Sequence, residues 1–522
     1  MSRAQARPRG RVGTHLRSCR WSLAAIAGYA ASSACASAPA APRPVAEPLA
    51  AIAAEPLVGA QWAVLAVDLA TGDTLLAHEP ERRMIPASAM KLLTAVVALD
   101  LLGPDFRWET GLWSTGAPDS ADLVLSASGD PTFSTRWWDS DVAPLDSLAG
   151  SLGELYAVRV TGALVVDAST WDSTSVPPSW MVEDLSVPAG ASGGALALAE
   201  GETRIELRGG SAPGDPVAVR WWPLGEDEFV RSRLVTVADT AADSPLRVEV
   251  GWLPESRALA LEGTVAAGHV DTLVVATRDP VRQAAAALDR ALAARGVATG
   301  SGRRIAWSTG EPLAGGCTTG SLPPCPAARL LGVVASPPLL EVVETTLEAS
   351  QNWIAEQIIR TVGGAGAGGV GELPQAGPAG RAGWREGTAA ARAHVTDVVG
   401  VPAQDVRVVD GSGLSVQNLL TPRALVRLLA YARGRPWGEA FRAALPEPGE
   451  EESTLETRLA GLEGRVWAKT GTLTNVATLA GYLVDARGRE IALAILVNGS
   501  NLPVATVREA IDGIVRALAA GL

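Results

Sequence analysis

The chain has 522 residues, 47% of them hydrophobic and 19% charged, with a formal net charge of −12 at pH 7. That acidic balance argues against nucleic acid or an anionic membrane surface as a partner, and the length suggests more than one domain. Of the 44 basic residues only Lys91 and Lys469 are lysines. Arginine stays protonated in proteins, whereas burial can turn lysine into a neutral base, so these two positions are where proton-transfer chemistry is sought first.

Residues 1–38 open with six arginines (3, 7, 9, 11, 17 and 20) and no acid, followed by an apolar run over 21–31 and Ala36-Ser37-Ala38. This pattern predicts a secretory signal peptide with a small-residue cleavage site, and so an exported, periplasmic or cell-envelope protein. Its removal makes the remainder six charges more negative. The residue three before Cys35 is serine rather than an aliphatic, which argues against a lipid anchor. Residues 39–56, rich in Ala and Pro, read as a flexible leader.

Alternation over 62–78 around Ala70-Thr71-Gly72-Asp73 predicts a β-hairpin. Ser88-Ala89-Met90-Lys91 then leads into Leu92-Leu93-Thr94-Ala95-Val96-Val97-Ala98-Leu99, a buried helix ended by Gly103-Pro104. Residues three apart share a helix face, so the Lys91 amine comes within reach of the Ser88 hydroxyl. The positive end of the helix dipole favours an alkoxide there. A serine activated by a lysine is the chemistry this spacing suits, although Ser-x-x-Lys alone is common.

The stretch from about 110 to 310 is strand-rich, with Leu123-Val124-Leu125, Arg204-Ile205-Glu206-Leu207, Val217-Ala218-Val219-Arg220, Leu246-Arg247-Val248-Glu249-Val250 and Thr272-Leu273-Val274-Val275, and one helix over 281–295. It reads as inserted material. Its tryptophans, including Trp137-Trp138 and Trp221-Trp222, are read chiefly as core, with a sugar- or peptide-binding platform as the alternative. Cys317 and Cys325, eight apart in a Gly/Pro-rich loop, are the disulfide candidate of an exported chain. No histidine lies near them, so no metal is expected. None of His15, His78, His269 and His394 sits in a nucleophile context, which weakens a Ser-His-Asp reading.

Residues 339–361 predict two helices around Ser350-Gln351-Asn352, and 363–383 a Gly/Ala-rich loop. Lys469-Thr470-Gly471-Thr472 follows. A second hairpin over 477–497 turns at Asp485-Ala486-Arg487-Gly488, and an apolar helix covers 504–520. No later stretch is long and apolar enough for a second membrane span.

In this order, Ser-x-x-Lys, Ser-x-Asn and Lys-Thr-Gly match the signature of penicillin-binding proteins and class A β-lactamases. Ser128-Gly129-Asp130-Pro131-Thr132, Gly162-Ala163-Leu164-Val165-Val166-Asp167, Ser336-Pro337-Pro338-Leu339, Asn352-Trp353-Ile354-Ala355-Glu356 and Asp410-Gly411-Ser412-Gly413-Leu414-Ser415 extend the likeness from about residue 55 to the C-terminus. The chain thus resembles the low-molecular-mass class C penicillin-binding proteins, the three-domain D-alanyl-D-alanine carboxypeptidase/endopeptidases.

The resemblance implies an α+β fold, with helices on an antiparallel sheet of the penicillin-recognising, β-lactamase-like type and two inserted strand-rich accessory domains. The expected division is 57–110 and 329–522 for the catalytic domain, 111–190 and 272–328 for accessory domain II with its linker, and 191–271 for accessory domain III. It also implies a serine-type carboxypeptidase that trims peptidoglycan stem peptides ending in D-Ala-D-Ala and is acylated by β-lactams, without metal or organic cofactor. Ser88 would attack, Lys91 would act as base, kept neutral with help from the charge of Lys469, and Ser350 would relay the proton. Asn352 would hold Lys91 and the substrate amide, while Lys469, Thr470, Gly471 and Thr472 would form the carboxylate end of the site. Asp410 to Ser415 would either shape the cleft or be a plain Gly-rich turn. The alternatives are an endopeptidase cutting crosslinks, a β-lactamase, for which no motif positions a water-activating Glu, and a non-catalytic penicillin-binding sensor.

Overall fold

The strand Glu490–Asn498 shows how the catalytic part is layered. Ile491, Leu493, Ile495 and Val497 pack on one side, with Val507, Ile511, Ile514, Val515 and Leu518 of the C-terminal helix Val504–Ala519. Ala492, Ala494 and Leu496 pack on the other, with the remaining helices. Successive strand residues face opposite sides, so a strand covered on both faces reads as a continuous apolar run. The sheet runs Val466–Leu473, Val476–Val484, Glu490–Asn498, Gln61–Asp68, Thr74–His78, with every neighbouring pair antiparallel. Both predicted hairpins lie in it.

This computed structural model describes residues 3–5, 57–116, 121–152, 162–177, 179–191, 193–223, 230–238, 246–252, 258–365 and 382–521. The expected leader 39–56 and most of the expected loop 363–383 lie outside them. Of the expected signal peptide, only Arg3–Gln5 is described, as a short strand parallel to Arg329–Ala335.

The helix Met90–Leu101 is buried from Met90 through Leu99. A helix apolar on every side belongs inside a layer of helices, and this one packs against Leu339–Glu348, Asn352–Ala365, Trp384–Asp397 and Pro422–Arg433. Thr421 caps the last of these by accepting from the Ala424 N–H at 3.0 Å, and Pro422 occupies its first turn.

The inserted chain builds a second, mixed sheet from Glu109–Ser114, Leu123–Ser126, Leu164–Asp167, Arg303–Ala306 and Arg329–Ala335, with Arg3–Gln5 at one edge. Helices Ala143–Gly150 and Pro280–Ala293 share its core. Nested within it, Glu202–Arg208, Ala218–Trp222 and Val270–Ala276 form one three-stranded sheet, and Val230–Val237, Leu246–Trp252 and Leu259–Ala266 another. Ile205, Leu207, Leu259, Leu261 and Val275 belong to the core shared by the two sheets.

Glu109–Ser114 and Arg329–Ala335 pair with each other, which brings the two ends of the inserted chain together in the second sheet. Val270–Ala276 pairs with Glu202–Arg208, which closes the nested unit in the same way.

The paired tryptophans do not form an exposed platform: Trp137 is buried, and Trp138, Trp221 and Trp222 are half-buried. Cys317 and Cys325 are joined by a disulfide beside the second sheet, next to Val124, Val165 and Ala306. Among the described residues no helix is long and apolar enough to cross a membrane.

Candidate active site

Ser88 sits in a short 3₁₀ turn, Ala87–Ala89, that feeds the helix Met90–Leu101. Lys91 Nζ lies 3.0 Å from Ser88 Oγ, 2.6 Å from Asn352 Oδ1 and 2.9 Å from the Ser412 carbonyl. Asn352 Nδ2 donates to the Ala189 carbonyl at 2.9 Å, which fixes the amide with its oxygen towards Lys91. Asn352 Oδ1 and the Ser412 carbonyl can only accept. A neutral amine therefore spends its two N–H groups on them and turns its lone pair to the Ser88 hydroxyl.

Ser412 is delivered by the segment whose role the sequence left open. Asp410 accepts from the N–H groups of Gly413 (2.8 Å) and Ser415 (2.6 Å), from Asn418 Nδ2 (2.6 Å) and from Trp180 Nε1 (3.0 Å). Gly413 has φ +86°, and a Cβ there would stand 1.9 Å from the Ala87 carbonyl. The segment is thus a Gly-dependent turn that also supplies an acceptor to the lysine. Beneath it Glu356, one helical turn after Asn352, accepts from the N–H groups of Gly411 (3.0 Å) and Ser412 (2.7 Å) and from Trp384 Nε1 (2.7 Å).

Lys91 and Lys469 are both fully buried. Burial brings Lys91 down to about 7, even though Glu356 and Asp410 pull it upward. Glu356 is itself pushed up to about 7, first by burial and then by Asp410. Lys469 is lowered well below its ordinary value by burial and by the charge of Lys91. Burial is the larger cause at both lysines, and the repulsion between the two amines, which acts on each of them, favours the uncharged form.

Lys469, Thr470, Gly471 and Thr472 lie on the sheet's edge strand, Val466–Leu473. An edge strand leaves part of its backbone N–H groups unpaired, here on the side away from Val476–Val484. A Cβ on Gly471 would lie 2.9 Å from Ser88 N and 2.3 Å from Thr478 Oγ1, so only glycine lets the strand meet the Ser88 turn this closely. Lys469 Nζ donates to the Thr470 carbonyl at 3.1 Å. Thr470 is buried and Thr472 exposed.

Ser350 occupies the corner between Leu339–Glu348 and Asn352–Ala365, with φ +55°, a left-handed conformation uncommon for serine. Gln351 beside it donates to Glu200 of the inserted chain, which also pairs with Arg136. The inserted chain thus holds the Ser-x-Asn corner as well as Asn352.

Sequence reasoning assigned no role to Glu356, although a carboxylate in the apolar run Trp353-Ile354-Ala355-Glu356 was a usable signal. Nothing in the sequence marked Arg508, whose Nη2 donates to Thr472 Oγ1 at 2.9 Å.

Residues 45–520 match the D-Ala-D-Ala carboxypeptidase 3 (S13) family. The chain is 30% identical over 465 residues to a D-alanyl-D-alanine carboxypeptidase of Actinomadura sp. (strain R39), covering 86% of this chain and 79% of that one. It is 26% identical to D-alanyl-D-alanine carboxypeptidase DacB of Haemophilus influenzae, over 80% of this chain and 81% of the relative. The crystal structure of penicillin binding protein 4 (dacB) from Haemophilus influenzae has the same fold, with a TM-score of 0.74 at 23% identity, covering 91% of this chain and 98% of that one. The chain belongs to the S13 family of D-Ala-D-Ala carboxypeptidases, the low-molecular-mass class C penicillin-binding proteins.

Proposed function

We propose that this serine peptidase hydrolyses the bond between the last two D-alanines of peptidoglycan stem peptides through an acyl-enzyme at Ser88. The observation that carries this reading is the set of acceptors around Lys91 Nζ, which leaves a neutral amine facing the Ser88 hydroxyl. Lys91 takes the hydroxyl proton as Ser88 Oγ bonds to the carbonyl carbon. The backbone N–H groups of Ser88 and Thr472 receive the developing oxyanion, a contribution of roughly 3 kcal/mol per donor. As the C–N bond breaks, the proton passes through Ser350 to the leaving D-alanine. Water then attacks the ester and frees Ser88. Lys469, Thr470 and Thr472 hold the terminal carboxylate, with Gly471 giving the strand its close approach. Asn352 keeps one amide hydrogen for the substrate backbone, since the other goes to Ala189.

Penicillins imitate the D-Ala-D-Ala end and acylate the same oxygen. The assay is D-alanine release from an N-acyl peptide ending in D-Ala-D-Ala, expected to stop in stoichiometric benzylpenicillin. Absence of release from the folded protein would reject the reading. A crosslinked dipeptide pair in the same assay measures endopeptidase activity.

The pH dependence follows from Lys91. Below its value of about 7 the amine is protonated and cannot accept the Ser88 proton. The second-order rate of acylation by benzylpenicillin is therefore expected to rise with pH and reach half its plateau near 7. Glu356 raises Lys91, so Glu356→Gln should move this limb to lower pH. A limb that stays in place would remove Glu356 from the electrostatics of the base.

We also propose that the enzyme works outside the cytoplasm, supported by the basic and apolar pattern of residues 1–38. Recovery of the active protein from the cytoplasmic fraction with an intact N-terminus would contradict it.

A further inference from the structure

Among the described residues, Arg508 on the C-terminal helix forms no ion pair, and its one hydrogen bond is to Thr472 Oγ1 at 2.9 Å. The acid one turn further along the helix, Asp512, is taken by Arg458, which donates to it through Nε at 3.2 Å and also through Nη2. Arg508 is half-buried, and burial together with Arg458 lowers it from the usual guanidinium value. It nevertheless remains a cation at neutral pH. It stands at the exposed Thr472 hydroxyl, at the end of the edge strand where the substrate's carboxylate is placed under the carboxypeptidase reading, on which this inference rests.

We propose that Arg508 is the residue that reads the substrate's terminal carboxylate, with Thr472 as the hydroxyl shared between the guanidinium and the carboxylate. The physical need is plain. Lys469 is fully buried and donates to the Thr470 carbonyl, whereas Arg508 stands at the exposed Thr472 hydroxyl, where an anion arriving on this strand meets it first. A guanidinium already bonded to Thr472 keeps donors free for a carboxylate at little ordering cost. The C-terminal helix thereby contributes a specificity residue and not only the outer layer of the sheet.

The test compares benzylpenicillin with its methyl ester, which lacks the free carboxylate, in wild type, Arg508→Gln and Arg508→Lys. Glutamine keeps a donor for Thr472 but no charge, and lysine keeps the charge. Arg508→Gln is expected to slow acylation by benzylpenicillin about ten- to hundredfold, the range of a charge-assisted hydrogen bond, and to leave the methyl ester rate unchanged. Arg508→Lys should retain most of the preference for the free acid. Equal losses on both compounds, or none on either, would overturn the assignment, the first pointing to a scaffold role. If Arg508→Gln does not fold, Arg508→Lys decides: a preference as low as that of a site without the charge overturns the proposal. Wild type that takes neither compound and releases no D-alanine rejects the carboxypeptidase reading itself, and this inference with it.

Discussion

Ser88→Ala is expected to abolish covalent capture of a fluorescent penicillin and to lower D-alanine release by at least about a thousandfold, the scale seen when a serine nucleophile is removed. The Ser88 hydroxyl lies 3.0 Å from Lys91 Nζ, and the rest of the site converges on that pair. The variant should keep its fold, because alanine suits the 3₁₀ turn between Ala87 and Ala89 and the lost hydroxyl is only half-buried. Labelling on a denaturing gel, beside a thermal melt, separates lost chemistry from lost structure. A folded variant that still takes label would place the nucleophile elsewhere.

Lys91→Arg should be nearly as damaging, with acylation slowed by about 10²- to 10⁴-fold, the range attributed to a positioned general base. Arginine keeps the positive charge beside Glu356 and Asp410, so a purely electrostatic role for Lys91 would survive the change. It has five donors and no acceptor and does not deprotonate in proteins, so it cannot take the Ser88 proton. Rapid-mixing measurement of penicillin acylation should give a slow rate with no rise near pH 7. Near-normal acylation by this variant would assign the base to another group.

Much of the catalytic part was readable because its signals are local. Both hairpins carry their turn residues, and the helix Met90–Leu101 is apolar but for Lys91, Thr94 and Asp100. The two lysines stood out because arginine replaces lysine everywhere else in the chain. What stayed hidden depends on tertiary approach. The carbonyl of Ser412 carries no residue-type signal, and Arg508 is one of two arginines on an amphipathic helix in an arginine-rich chain. Spacing gave the proximity of Lys91 to Ser88, whereas burial, the larger cause at both lysines, emerges only once the helices close over Lys91. Strands Val230–Val237 and Leu259–Ala266 were passed over because each alternates charged with apolar residues only weakly, and they declare themselves by pairing with each other.

The contacts around Lys91 have a consequence for biogenesis. Lys91 meets residues 261 and 321 positions away, and Thr478 bonds to the Pro86 carbonyl across 392 positions. Between the two sides of the site lies the whole inserted chain, whose nested sheets can pair largely within themselves. Contacts of such range close late in folding, after the entropy of the intervening loop has been lost. Competence to react with penicillin should therefore be among the last properties a nascent molecule acquires. In a refolding time course, covalent label is expected to lag behind recovery of the far-ultraviolet circular dichroism, so the antibiotic would mark only molecules whose two halves have found each other.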